Sequence, residues 1–317
     1  MNLRKLSLML CVTASPAMAQ LADQEGVSGE IAITAGFASS TSNFNTEGSD
    51  TISSSNQKPT SEDSFLAFPL GSITYTFGDA LNQQVYTGTS RQDVATGIVV
   101  LEVGYRYQFE SRMIMDIAIL PTIMSSETWE NPYLVNQSRT KTDESGNAFR
   151  FQLKNIAGSN FSLDSAFATK EVDTDTVIDE LKRDANTIYL KGQYRQPLSR
   201  TMLVMPSIIY QSSSAEGKAN SYDQYGVELS LFKLMQRHQI VLTAGYAQRQ
   251  YESTNPIYDK TRENNKLSLF AAYEYKNIMD WKDWSLVAFA GYGTEQSNIT
   301  FYDNSEYIIS TGLNYKF

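Results

Sequence analysis

Apolar and polar side chains alternate along most of the chain from residue 27 onward. In residues 99–109 every second side chain is apolar or aromatic, and Glu102, Arg106 and Gln108 lie between them. Residues 266–276 repeat the pattern. Because successive side chains of a β-strand point to opposite faces, this period of two predicts strands with one apolar and one polar face.

Fourteen segments carry this alternation, and most of them are 10 to 14 residues long. They are residues 27–38, 65–77, 82–91, 97–109, 112–125, 147–155, 161–171, 186–196, 201–213, 223–235, 239–252, 266–276, 284–295 and 304–317. An ordinary strand has about 5–6 residues, whereas a membrane-barrel strand needs about 9–11 residues to cross the bilayer. The lengths therefore favour a transmembrane barrel over a soluble sandwich.

The connections between these segments alternate in length. Short ones fall at 78–81, 110–111, 156–160, 197–200, 236–238 and 277–283. The others are long and polar, except for 92–96, and fall at 39–64, 126–146, 172–185, 214–222, 253–265 and 296–303. Outer-membrane barrels have short periplasmic turns and long extracellular loops. We therefore predict an all-β fold, a transmembrane antiparallel up-and-down β-barrel of about 14 strands (12 to 16 fit the pattern), with both termini periplasmic.

Aromatic residues are abundant, with 19 Tyr, 15 Phe and 3 Trp. Tyr75, Tyr105 and Trp284 lie near short connections, and Tyr210 and Tyr246 lie near long ones. Amphipathic rings favour the headgroup level of a membrane, so this placement predicts two aromatic girdles. The alternative is cross-strand aromatic pairing in a soluble sheet.

The first 19 residues have the features of a secretory signal peptide. Arg4 and Lys5 form a basic start, residues 6–13 are apolar, and Ala17-Met18-Ala19 supplies a small-residue cleavage site. We therefore expect export with cleavage after Ala19, leaving residues 20–317 as a single outer-membrane barrel domain. Cleavage removes two basic residues and no acidic one, so the net charge of −9 becomes −11.

The last predicted strand, residues 307–317, resembles the C-terminal signature of Gram-negative outer-membrane proteins. In that signature alternate apolar residues lead to a terminal aromatic residue, here Tyr315 and Phe317. The resemblance implies that these two residues are the assembly signal read by the barrel-assembly machinery during insertion. It also implies that outer-membrane lipid and lipopolysaccharide surround the protein.

Almost the whole chain after residue 19 is similar to a family of predicted outer-membrane barrels from marine gamma-proteobacteria, catalogued as a domain of unknown function. The stretches that carry the resemblance are Phe68–Gly71, Gly88–Arg91, Leu120–Thr122, Glu127–Trp129 and Leu269–Tyr275. This resemblance implies a fold and a location, and no activity.

The composition excludes several kinds of chemistry. One His and one Cys cannot build a His/Cys zinc site, an iron–sulfur cluster or a disulfide framework. The acidic balance argues against nucleic acid as a partner. Asp173, Asp175 and Asp179 resemble part of a calcium loop, but Val177 stands at a ligand position and the turn glycine is absent. We expect no cofactor, no metal site and no enzymatic activity, since His238 lies in a short turn with no evident nucleophile beside it.

If each strand turns its apolar face outward, fourteen charged residues face the lumen, eight of them basic and six acidic. Thirteen form the candidate pore lining, and Lys316 is the fourteenth: Glu30, Glu102, Arg106, Asp116, Arg150, Lys154, Asp164, Lys191, Arg195, Glu228, Arg249, Glu274 and Lys276. Arg or Lys facing the bilayer centre would cost about 2–4 kcal/mol each, so the lumen is the expected place. These charges could hydrate a pore and pair across strands, or they could form a basic track for anionic solutes.

Two functional hypotheses follow. The first is an outer-membrane porin-like channel for passive diffusion of small hydrophilic solutes, with an anion preference if the basic side chains dominate. The second is a plugged structural or surface-interaction barrel whose extracellular loops bind a partner. Fourteen strands lie between small filled barrels and open porins, so the long segments 39–64 and 126–146 are candidates for folding inward and obstructing the lumen.

Overall fold

The computed structural model describes residues 21–90, 93–94, 100–121 and 126–317. The predicted signal peptide, 1–19, lies outside the described residues, as do parts of three predicted strands at 91, 97–99 and 122–125. The strands are β1 (Gly26–Thr41), β2 (Ser61–Phe77), β3 (Gln83–Thr89), β4 (Leu101–Gln108), β5 (Ile114–Pro121), β6 (Ser126–Trp129), β7 (Lys141–Ser145), β8 (Asn147–Lys154), β9 (Phe161–Val172), β10 (Ala185–Tyr194), β11 (Gln196–Ser199), β12 (Met202–Ala215), β13 (Tyr222–Leu234), β14 (His238–Asn255), β15 (Lys260–Lys276), β16 (Trp284–Ser297) and β17 (Asn304–Lys316).

Short 3₁₀ turns occupy five of the connections: Ile156–Gly158, Asp179–Leu181, Lys218–Asn220, Ile278–Asp280 and Thr300–Tyr302. Among the described residues, no helix is long and apolar enough to cross a membrane.

The strands form one closed antiparallel barrel. Three of its walls consist of two consecutive strands, namely β5 with β6, β7 with β8, and β10 with β11, so the ring has 14 walls. Each wall pairs with the next in chain order, and β1 pairs with both β2 and β17. The predicted all-β barrel of about 14 strands is therefore confirmed.

Along each strand, exposed and buried side chains alternate in the same way as apolar and polar residues alternate in the sequence. On β1, Ile33 and Phe37 are 71% and 65% exposed on the outer surface, whereas Thr34 between them is fully buried. Such an apolar exterior would be unfavourable in water and is favourable in lipid. The architecture is that of a transmembrane β-barrel, with polar side chains inside.

The ring closes where the first and last strands meet. Gly29 and Phe317 exchange backbone hydrogen bonds, with N···O distances of 2.9 and 3.0 Å. A Cβ atom on Gly29 would lie 2.7 Å from Cζ of Phe317, so the phenyl ring occupies the space left by the glycine. The missing side chain at residue 29 thus allows the terminal ring to pack against the outer wall.

The two ends of the barrel differ as the sequence predicted. The short-turn end carries the connections 78–82, 109–113, 155–160, 200–201, 235–237 and 277–283. The long-loop end carries 42–60, 90–100, 130–140, 173–184, 216–221, 256–259 and 298–303.

Three predicted connections are wrong in extent. Segment 253–265 is mostly strand, because β14 and β15 continue to a turn at 256–259, and much of 126–146 forms β6 and β7. The connection predicted at 92–96 begins earlier than expected, because β3 ends at Thr89. Gly88, near that end, has φ 129°, and a Cβ there would lie 2.1 Å from the carbonyl oxygen of Gly71. This strained close approach is available only to glycine.

Candidate functional site

The lumen holds the charged residues that the alternation selected. Its most buried members are each at most 9% exposed: Glu102, Asp116, Arg150, Lys191 and Glu274. The side chains of Asp164, Glu228 and Arg249 are each 14% exposed. All eight occupy strand positions opposite in parity to the exposed apolar residues.

The remaining predicted members are less enclosed. The side chains of Arg106 and Lys154 are 23% and 30% exposed, and Glu30 and Lys276 are half-buried. Arg195 is exposed at the short-turn end, where its Nη2 donates to Oδ1 of Asn155 at 2.6 Å.

Arg150 on β8 is surrounded by three carboxylates. Its Nη1 lies 2.5 Å from Oδ2 of Asp93 and 3.4 Å from Oε2 of Glu102. Its Nη2 lies 2.6 Å from Oδ2 of Asp164, and Gln152 donates to the same oxygen. One cation therefore faces three anions at this level of the lumen.

Asp116 on β5 has the reverse arrangement. Its Oδ2 lies 2.7 Å from Nε of Arg106 and 3.6 Å from Nζ of Lys154. The hydroxyl of Tyr86 donates to its Oδ1 at 2.5 Å, and the Arg106 guanidinium lies 4.1 Å from the centre of the Tyr86 ring. One carboxylate thus pairs with two cations, and Tyr86 contacts both Asp116 and Arg106.

Two further ion-paired groups lie on other strands, one between β10 and β13 and the other among β14, β15 and β16. Nζ of Lys191 lies 2.6 Å from Oε1 of Glu228. Glu295 lies between two cations, with its oxygens 3.3 Å from Nη1 of Arg249 and 3.3 Å from Nζ of Lys266.

At the short-turn end a polar chain crosses the seam between β1 and β17. Asn314 donates to Oε2 of Glu30 at 3.2 Å and to Oγ of Ser285 at 3.4 Å. Ser285 in turn donates to Glu274 at 2.8 Å, and Nζ of Lys316 lies 3.8 Å from the same carboxylate. This chain links four neighbouring strands from inside.

Three charged groups in these networks were not predicted from the sequence. Lys266 and Glu295 share the inward parity of their strands, and extending the alternation to the strand ends would have found them. Asp93 belongs to the connection 90–100, where no periodic signal exists. Its role depends entirely on tertiary structure.

Asp93 and Val94 connect opposite walls of the lumen, and we call them the inner segment. Asp93 pairs with Arg150 on β8. Val94 packs with Ala32, Leu70 and Val287 on β1, β2 and β16. Strands β8 and β16 are seven walls apart in a ring of 14, so the inner segment crosses the lumen. An obstruction inside the lumen therefore comes from this shorter connection, which was not predicted from the sequence.

The long loops pack together at the long-loop end and form what we call the cap. Its apolar centre contains Phe44, Ile52, Tyr133, Tyr258, Ile299, Phe301 and Tyr302. The hydroxyls of Tyr133 and Tyr302 are 2.8 Å apart, although their loops belong to opposite sides of the ring. The cap therefore spans the mouth of the barrel.

Arg139 anchors the first long loop within the cap. Its guanidinium donates to the carbonyl oxygens of Asn43, Ser49 and Asp50 at 2.8, 2.7 and 3.0 Å. Hydrogen bonds from Ser138 and from the Thr51 side chain lower the pKa of Asp50 below its usual 3.8. Burial raises the pKa of the Tyr133 phenol well above 10.0. Both side chains consequently keep their charge state across the neutral range.

Four cavities lie within the lumen. The upper cavity, of about 1140 Å³, adjoins the cap and is lined by Gln224, Glu228, Lys266 and Glu295 among others. The charged compartment, of about 530 Å³, includes Asp93, and an apolar compartment of about 580 Å³ includes Val94. The lower cavity, of about 1040 Å³, contains Arg195 at the short-turn end.

The upper cavity, the charged compartment and the lower cavity share lining residues. Glu228 borders the first two, and Lys154, Gln193 and Met205 border the last two. These three spaces follow one another along β10, β12 and β13, and the middle one is the smallest.

The acidic segment that resembles part of a calcium loop contains an ion pair. Asp175 pairs with Arg183, with Nη2 2.8 Å from its Oδ1. Within the described residues, no group of three or more His, Cys, Asp or Glu side chains has the arrangement of a metal site.

Residues 26–316 match the family described as "Protein of unknown function (DUF2860)". The chain belongs to this family. No curated protein matches the sequence.

Solved structures with a similar fold are outer-membrane proteins. OmpT of Vibrio cholerae has 9% identity and a TM-score of 0.42, covering 94% of this chain and 100% of its own. A Pseudomonas aeruginosa FadL homologue has 9% identity and a TM-score of 0.45, with 92% and 90% covered. The anion-selective porin from Comamonas acidovorans has 8% identity and a TM-score of 0.39, with 93% and 100% covered.

Proposed function

We propose that the protein is a narrow outer-membrane channel for passive diffusion of small hydrophilic solutes. The observation that carries the proposal is the series of three polar cavities with shared lining residues. A barrel that served only as a scaffold could fill its lumen with packed apolar side chains. Here charged side chains are retained around empty space, at a cost in desolvation that a passage for polar solutes explains.

The sequence predicted a bias toward anions, and the ion pairing weakens that expectation. Four of the basic side chains, those of Arg106, Arg150, Lys191 and Arg249, lie within 3.3 Å of a carboxylate oxygen. Opposite charges at such distances cancel most of each other's field a few ångströms away. We therefore propose only a weak preference between anions and cations.

We further propose that the short-turn end faces the periplasm and the cap faces the exterior. This orientation follows the usual asymmetry of outer-membrane barrels, and both β1 and β17 then have periplasmic ends. The predicted signal peptide would supply export, and lipid and lipopolysaccharide would surround the apolar exterior.

Transport is favoured over catalysis by the position of the single histidine. His238 is exposed on the outer side of β14 at the short-turn end, with Nδ1 2.7 Å from the hydroxyl of Tyr273. The imidazole ring also lies 5.0 Å from the Tyr275 ring in a tilted arrangement. An interfacial aromatic cluster accounts for this arrangement, and we propose no enzymatic role for it.

The second candidate function is a surface-interaction barrel whose extracellular loops bind a partner. The cap favours it, because loops from opposite walls combine into one packed surface. Such a surface is a better binding platform than independent mobile loops.

Conductance in planar lipid bilayers tests the channel. We expect discrete current steps from the purified protein, small in size because the charged compartment is narrow. A preparation of the Phe317 deletion variant, purified in parallel, controls for contaminating porins. A folded, heat-modifiable protein that gives no steps, together with no entry of glycerol into proteoliposomes, would support the surface-interaction barrel.

A further inference from the structure

The side chains that line the charged compartment are balanced in charge, and Glu102, which also contacts Arg150, lies outside this lining. The cations are Arg150, Lys154 and Lys191, and the anions are Asp93, Asp164 and Glu228. The other polar lining residues are neutral: Ser90, Gln152, Ser162, Gln193 and Ser230. A space of about 530 Å³ therefore presents both signs of charge within a few ångströms.

An ion with one net charge gains little in such a space. It must shed water in the narrow section, and every attractive side chain lies beside a repulsive one. The Lys191–Glu228 contact of 2.6 Å and the Arg150–Asp93 contact of 2.5 Å make the two signs adjacent. The dehydration of the ion is therefore poorly compensated.

A small zwitterion meets the opposite situation. Its ammonium and carboxylate are joined through one or two carbon atoms, so both can contact wall charges of opposite sign at the same time. An uncharged polyol forms hydrogen bonds with the same walls, but these are weaker than charge-assisted ones. Adjacent wall charges of opposite sign are thus most complementary to a solute that carries both an ammonium and a carboxylate.

Two residues are well placed to receive such a solute. Glu228 borders the upper cavity and the charged compartment. Lys154 borders the charged compartment and the lower cavity, and its 3.6 Å contact with Asp116 is longer than the 2.7 Å contact that Arg106 makes with that carboxylate. A solute carboxylate in the lower cavity can therefore approach the Lys154 ammonium, because Lys154 shares its partner Asp116 with Arg106.

We propose that the charged compartment selects small zwitterions of the amino-acid type over ions of the same size. The inference rests on the proposed channel function and specifies its substrate class. Selection arises from the balance of three cations and three anions, with Glu228 as the ammonium contact and Lys154 as the carboxylate contact.

The test compares entry of three radiolabelled solutes of similar size into proteoliposomes: alanine, glycerol and lactate. Valinomycin and potassium are present so that charge movement does not limit lactate. We expect alanine to enter about tenfold faster than lactate and faster than glycerol, a tenfold ratio corresponding to about 1.4 kcal/mol. Absence of entry by all three solutes would contradict the channel itself. Glycerol entry with alanine no faster than lactate would overturn the inference alone.

Variants separate charge balance from pore size. Glu228→Gln leaves an unbalanced cation and keeps the side-chain volume, so lactate entry should rise several-fold relative to alanine. The double variant Lys191→Gln with Glu228→Gln restores balance and should return the lactate ratio toward the original value while slowing alanine. Lys218→Gln with Glu252→Gln removes an exposed pair in the cap region and should change neither ratio. Equal ratios in Glu228→Gln and the unmodified protein, both folded by heat-modifiability, would overturn the proposal.

Discussion

Asp93 and Arg150 are paired across the lumen, with 2.5 Å between Oδ2 and Nη1, although 57 residues separate them in the chain. The pair holds Asp93 inside the barrel from one wall, and the adjacent Val94 packs against the opposite wall. The inner segment is thus tethered at both sides by neighbouring residues.

Breaking that pair should widen the passage. In Asp93→Asn the guanidinium keeps Asp164 and Glu102, so the barrel remains folded while the inner segment loses its charged tether. We expect single-channel conductance to rise by about twofold or more, because the constriction controls the current. Asp173→Asn, in an outer loop, is the matched control. Unchanged conductance in Asp93→Asn would mean that the inner segment does not limit flow.

Asp116→Asn should destabilise the barrel. Arg106 and Lys154 both lose their shared carboxylate, and an unpaired buried charge costs about 3–5 kcal/mol in comparable cases. We expect a lower free energy of unfolding in urea titrations from lipid vesicles. Glu127→Gln breaks the exposed pair with Lys141 and should leave the unfolding midpoint unchanged. Similar midpoints for both variants would show that the Asp116 cluster contributes little.

Deletion of Phe317 should reduce assembly. The residue exchanges two backbone hydrogen bonds with Gly29 and packs its ring there, so its loss opens the end of the seam. Gly29→Ile should have the same effect from the other strand, because the new side chain displaces the ring. The measurement is the amount of heat-modifiable protein in outer-membrane fractions. Deletion of Asn56, in an outer loop, is the control, and wild-type levels of both seam variants would contradict the assembly role.

Arg139→Gln should loosen the cap. Three carbonyl oxygens of the first long loop lose their donor, and an unsatisfied buried acceptor costs about 1–3 kcal/mol. We expect proteinase K to cleave within residues 42–60 about tenfold faster. Cleavage at an unchanged rate would place the stability of the cap in its aromatic centre alone.

The cap should tolerate mild acid. Hydrogen bonds lower the pKa of Asp50 below 3.8, so the folded state favours the charged carboxylate. Its stabilising effect is complete above the unfolded pKa and is lost as the pH falls through the lower folded value. Pepsin cleavage of the loop should therefore accelerate only below pH 3.8. Asp50→Asn should remove this acceleration, and an acceleration that begins near pH 5 in the unmodified protein would assign the effect to other groups.

The barrel could be predicted because the alternation extends over whole strands. On β14 and β15 the alternation of outward and inward side chains continues through 18 and 17 residues. The apolar positions therefore decide which side chains face lipid and which face the lumen. The inward position of Arg150 or Glu228 follows from that parity alone.

What could not be predicted are contacts without periodicity. Asp93 lies in a connection, and its pairing with Arg150 depends on how far β3 and β4 extend. The cap has the same origin, since Tyr133 and Tyr302 meet only after the ring has closed. The count of inward charges also lacked Asp93, Lys266 and Glu295, because the first lies in a connection and the other two lie at the ends of the predicted strands.

The seam between β1 and β17 also determines when folding can occur. Glu30 and Asn314 are hydrogen-bonded although they are 284 positions apart, so the barrel cannot close before the strand that carries Asn314 is available. Until then the sheet has two open edges, which invite pairing with other chains. A prematurely terminated product would lack a closed state altogether and would remain accessible to proteolysis. Only a chain that includes β17 can therefore close the barrel and escape degradation.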